Sequence, residues 1–119
     1  MTWQDVATRA YLACALWTEN LDEYTSVDFS DDALDDAAYV IATFAENAAE
    51  ADIDLTEYDA EQVGHDLWLT RNGHGTGFWD NGRGYDRADA VTLTAMAELM
   101  GSVYLFQGPD GITFTRVAE

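Results

Sequence analysis

HDLWLTRNGHGTGFWD, residues 65 to 80, sets two aromatic-bearing runs on either side of a glycine-rich centre. This pattern reads as a β-hairpin with its turn near Asn72 to Gly75. The hairpin reading puts an antiparallel sheet in the second half of the chain. Just upstream, Thr56 is cap-like and Gly64 is a stop signal, so a short helix is expected over 56 to 64. Downstream, the glycine-rich connection NGRGYD leads into a helix over Ala88 to Met100, stopped by Gly101. Val103 to Phe106 and Ile112 to Thr115 flank a Gly-Pro-Asp-Gly turn and form a second hairpin.

The first half is helical by spacing. Trp3, Val6, Ala10, Ala13, Cys14 and Trp17 recur at helical intervals behind Thr2 and Asp5, which predicts a largely buried helix over residues 3 to 18 with both tryptophans in the core. A loop follows. Ser30 then caps a second helix running to Glu50, with Leu34, Ala37, Ala38, Ile41, Phe44, Ala45 and Ala48 on one arc and Asp32, Asp35, Asp36, Glu46 and Glu50 on the opposite one. The expected fold is therefore α+β: N-terminal helices packed on a small antiparallel sheet of two C-terminal hairpins with an intervening helix. At 119 residues and 48% hydrophobic composition the chain suits a single domain spanning 1 to 119.

The charge is unevenly placed. No basic residue lies between Arg9 and Arg71, and residues 19 to 61 hold fifteen Asp or Glu of a net −18. Such density adds self-repulsion to the folded state. Acid selected by a salt-rich cytoplasm should spread over the whole surface, whereas here the C-terminal half is near balance. Five Arg and no Lys against 23 acids leave no footprint for phosphate, so direct nucleic-acid binding is disfavoured. The single cysteine, Cys14, excludes a disulfide scaffold. The N-terminus carries no basic signal region and no span-length apolar run, so a cytoplasmic chain without a membrane role is expected.

Residues 64 to 80, GHDLWLTRNGHGTGFWD, resemble a recurrent block in an uncharacterised family of small bacteriophage proteins, read there as GHDFWLTRNGHGAGFWD; Leu67 and Thr76 are the departures. Looser likeness runs through Leu16-Trp17, Leu21-Asp22, Tyr24, Leu93-Thr94 and the Tyr104 to Phe114 segment. The resemblance implies a phage accessory product expressed in an infected bacterium. It carries no known activity over to this chain.

Two functional surfaces follow, expected to be separate. The first is the acidic helix face, Asp32, Asp35, Asp36, Glu46 and Glu50, as a non-enzymatic contact for a host protein, a basic nucleic-acid-binding factor in the DNA-mimic version. The alternative is an anion-binding module or enzyme on the 65 to 80 hairpin, using Arg71, Asn72, His74, Trp79 and Asp80, with Arg71 as the clamp or as a partner for Asp66 or Asp80. A third class is a self-associating structural accessory protein; the sequence does not give its oligomeric state. No metal or cofactor is expected, because a hairpin would hold His65 and His74 at opposite ends.

Overall fold

The structure is a computed structural model that describes residues 1–80 and 82–116. Helix α1 spans Trp3–Thr18, and its start is a full capping box: Asp5 N–H donates to Thr2 Oγ1 at 3.0 Å and Thr2 N–H to the Asp5 carboxylate at 3.2 Å. Helix α2 spans Asp31–Glu50 behind Ser30, whose Oγ accepts from Ala33 N–H at 3.2 Å. Both helices lie where capping and spacing place them. Each ends on a left-handed residue, Asn20 (φ 59°) and Asp52 (φ 63°). The following amides reach back to Leu16 O and Ala48 O at 2.8 and 2.9 Å, satisfying carbonyls that the helix end orphans.

The 65 to 80 hairpin does not form. Helix α3 spans Ala60–Arg71, capped by Asp59, whose carboxylate accepts from Gln62 N–H at 3.0 Å. The segment at 56 to 64 is accordingly a 3₁₀ turn, Leu55–Glu57, followed by the first turns of α3. Gly64 is an interior contact rather than a stop. A Cβ there would overlap the Ala7 carbonyl oxygen and lie 2.9 Å from Ala10 Cβ, so α1 and α3 cross at backbone contact. This crossing is the most extensive contact between elements. Val63, Leu67 and Trp68 on α3 are buried with Ala7, Tyr11 and Ala15 of α1. Residues 72–80 are turns, with Gly73 in the left-handed region at φ 65°. Gly77 lies against Thr70, where an added Cβ would overlap Oγ1.

Helix α4 spans Arg87–Leu99, and strands β1 (Val103–Gly108) and β2 (Gly111–Arg116) form the expected C-terminal hairpin, with Gly108 paired to Gly111 and Val103 to Arg116. The fold is α+β, with its sheet made of this one hairpin among the described residues. Its register puts Val103, Leu105, Ile112 and Phe114 toward the helices, and Tyr104 and Phe106 toward solvent. The Phe114 ring lies 5.6 Å from Phe29, 6.0 Å from Trp68 and 6.1 Å from Tyr11, joining the sheet to α1 and α3. Phe29 forms a parallel bridge with Ile112 before the chain turns into α2. Trp3 is half-buried and donates Nε1–H to Tyr58 O at 2.9 Å, but Trp17 is 66% exposed, so only the first of these tryptophans joins the core as expected. Among the described residues no helix is long and apolar enough to cross a membrane.

Candidate functional site

Helix α3 ends on Arg71, and its guanidinium turns inward, 6% exposed. Nε donates to Gly101 O at 2.8 Å, Nη2 to Met100 O at 3.1 Å, and Nη1 to Tyr11 Oη at 3.0 Å. Arg71 thus caps the C-terminus of α4, where the helix dipole favours a cation. It holds neither Asp66 nor Asp80, and the cation of the anion-clamp reading is already committed inside the fold. Burial pushes the Tyr11 hydroxyl up in pKa, with the Arg71 charge working against that rise. Arg71→Lys should lower stability by about 1–3 kcal/mol, since one ammonium cannot serve three acceptors in a planar fork; urea unfolding measures it.

The other hairpin-motif candidates divide between structural and exposed positions. Asn72 bridges α3 to β1, its Nδ2–H donating to Trp68 O at 3.0 Å and its Oδ1 accepting from Val103 N–H at 2.8 Å. Its φ is −103°, so Gly73 rather than Asn72 supplies the left-handed turn. Asp80 accepts from the Thr76 hydroxyl and, at 3.4 Å, from Gly77 N–H, closing the loop on itself. His74 is exposed in a shallow depression shared with Trp17 and Thr76, and Trp79 is half exposed. Among the described residues His74 and Asp80 share no hydrogen bond, so no acid–base pair is assembled.

Residue spacing carries no sign of a cluster around Asp66. This carboxylate is fully buried: Oδ2 accepts from Tyr85 Oη–H at 2.9 Å and Oδ1 lies 3.3 Å from Arg83 Nη1. Arg83 arrives from the loop after residue 80 and also donates Nη2–H to Thr76 Oγ1 at 2.8 Å. Burial raises the Asp66 pKa above its ordinary 3.8, opposed by the Tyr85 hydrogen bond and the Arg83 charge. Burial beside Asp66 also raises the Tyr85 hydroxyl. Cys14 faces the same region, its thiol 3.8 Å from His65 O and pushed up to about 12 by burial and then by Asp66, which makes it inert as a nucleophile at neutral pH.

The Asp66 shift has a defined sign in stability. The folded state holds the proton more tightly than the unfolded chain, so this group's contribution falls as pH rises from about 4 through its folded value. Asp66→Asn removes that ionisation. The variant should gain on the native chain as pH rises through this window, and parallel unfolding curves against pH would refute the assignment. Arg83→Gln should instead cost about 1–3 kcal/mol at neutral pH, because it leaves a buried carboxylate without its cation.

Asp32, Asp35, Asp36, Glu46 and Glu50 all project from the exposed face of α2. Several of their neighbours in the acidic block have local work. Asp28 accepts from Thr25 N–H at 2.8 Å, Asp54 from Thr56 N–H at 3.0 Å, and Asp59 caps α3. Asp32 stands in the first turn of α2, where it favours the helix dipole, but none of the five α2 acids makes such a hydrogen bond, and among the described residues no acid of the 19 to 61 block pairs with a basic side chain. They form two groups. From Asp36 to Glu46 the helix advances about 15 Å without a charge, a length over which duplex DNA carries about nine.

Of the motif candidates, Arg71 alone lies beneath the acidic face. A groove of about 580 Å³ opens between α2 and β2, with Asp32, Asp36 and Tyr39 on one wall. Leu99, Met100 and residues Thr113 to Thr115 line the other, and Arg71 with Val40 and Val103 lies at its base. Tyr39 and Leu99 are 70% and 87% exposed, so the rim presents apolar surface beside the carboxylates.

Comparison with protein-family models, with curated proteins and with solved structures gives no match.

Proposed function

We propose that this chain is a non-enzymatic protein-binding module whose contact surface is the acidic face of α2, and that its partner carries a basic segment. The observation that carries this reading is the set of five exposed carboxylates on α2, which among the described residues form no ion pair, on an otherwise well-capped helix. Like charges at i,i+4, as in Asp32 with Asp36 and Glu46 with Glu50, cost a few tenths of a kcal/mol each, so this face is not arranged for stability. The motif residues support the same choice from the other side. Gly64, Asp66, Trp68, Arg71, Asn72 and Gly77 each meet an internal contact, which leaves little of the motif free to hold a small ligand.

The break in charge between Asp36 and Glu46 favours a discrete basic segment over imitation of a continuous duplex. The setting, an accessory protein acting on a host factor in an infected bacterium, rests on the likeness of residues 64 to 80 to the phage block. Capture from nuclease-treated bacterial lysate tests the reading. It expects a basic protein retained at low salt and released at high salt, as screened charge pairs require. Retention of nothing, or of a partner indifferent to salt, overturns it.

A further inference from the structure

The pairing of β2 determines which of its backbone groups face the groove. A two-residue loop closes the hairpin at Gly108 and Gly111, so this pair exchanges hydrogen bonds, and alternation makes Phe106–Thr113 and Tyr104–Thr115 the next bonded pairs. Ile112 and Phe114 therefore direct their N–H and C=O away from β1. The structure confirms this parity at Ile112, whose carbonyl accepts from Ser30 N–H at 2.9 Å. There the Phe29–Ser30 segment begins a third, parallel strand and then leaves to form α2. One step further along, no neighbouring backbone pairs with the outward groups of Phe114 among the described residues, and Phe114 lines the groove. The sheet is thus an edge interrupted after a single bridge, with space beside it.

We propose that the groove between α2 and β2 is a strand-addition site for an extended basic segment of a protein partner. The segment pairs its backbone with Phe114 N–H and C=O and brings Lys or Arg side chains to Asp32 and Asp36. Backbone pairing supplies affinity without demanding one sequence, and alternate side chains read the two walls. One set meets the α2 wall, its carboxylates and the exposed Tyr39, and the other packs on the exposed Leu99. The volume of about 580 Å³ suits a few residues in extended form. The sign of the charge follows from the wall and from the whole molecule: among the described residues Asp32 and Asp36 have no basic partner and Arg71 at the base is held by Met100 O, Gly101 O and Tyr11, while the chain carries a net −18. This inference rests on α2 being the partner-binding face.

The test is amide NMR and calorimetry on the full chain with a short alternating Lys–Val peptide, against the same peptide N-methylated so that one edge cannot pair. The expected result is slowed exchange of the Phe114 amide with the first peptide only, and about tenfold weaker binding to an Asp32→Asn, Asp36→Asn variant. That factor corresponds to the loss of about 1.4 kcal/mol. If both peptides bind alike and shift resonances at Glu46 to Glu61, strand addition is wrong while the acidic-surface reading stands. If neither binds at low salt, both fall. Exchange protection at Phe114 that grows with protein concentration in the absence of peptide would make a second copy of the chain the occupant and overturn the proposal.

Discussion

Trp68→Ala is expected to destabilise the protein by about 3–5 kcal/mol, the largest effect of any single truncation. Trp68 is wholly buried in α3; its ring meets Tyr11 edge-on at 5.3 Å, and its Nε1–H donates to Thr18 Oγ1 at 2.8 Å. Truncation empties the junction of α1, α3 and the hairpin and leaves polar groups to be rehydrated. For a chain of this size the melting temperature should fall by roughly 10–20 °C. Trp79→Ala is the control. Half exposed and outside the core cluster, Trp79 should cost no more than about 1 kcal/mol. Similar losses at the two positions would contradict the helix and restore a hairpin in which both rings share the load.

Gly64→Ala is expected to lower stability by about 1–3 kcal/mol, against the sign that helix propensity predicts. Replacing an interior helical glycine by alanine ordinarily gains about 1 kcal/mol. Here the added methyl overlaps the Ala7 carbonyl oxygen and approaches Ala10, both on the facing helix. Backbone cannot yield as a flexible side chain would, so α1 and α3 must separate and lose packing along their length. Circular dichroism with urea unfolding settles the sign. A stabilised Gly64→Ala protein would remove the close crossing that organises this fold.

The same glycine shows why part of the fold was legible and part was not. Helices α1 and α2 announce themselves because each has a capping residue and an apolar arc with a polar reverse: Thr2 with Asp5, and Ser30 ahead of Ala33, Ala37, Ile41 and Phe44. Helix α3 has no polar reverse. It is buried around most of its circumference, and Asp66, Thr70 and Arg71 sit inside it with their own internal partners, which erases the 3.6-residue period. In its absence, the apolar run Leu67-Trp68-Leu69 ahead of the glycine-rich residues imitates a strand entering a turn, and a glycine packed for closeness imitates a terminator. One signal was available: Asp59 followed three residues later by Gln62 is a helix start, and the structure uses the Asp59 side chain in that way.

The site divides along the same line. Exposure of Asp32, Asp35, Asp36, Glu46 and Glu50 was readable, because their angles on α2 oppose its apolar arc. The groove was not, since it brings α2 against residues 113–115 and the end of α4, elements far apart in sequence. Nor was the inward turn of Arg71, whose acceptors Met100 and Gly101 belong to the end of another helix.

The central claim is that the α2 carboxylates serve recognition and not the fold. It is tested by making Asp32, Asp35, Asp36 to Asn and Glu46, Glu50 to Gln together and measuring retention of the basic partner from nuclease-treated bacterial lysate at low salt. The account predicts that a variant at least as thermally stable as the native chain, relieved of like-charge repulsion, no longer retains the partner. Undiminished retention by the neutralised helix would contradict it.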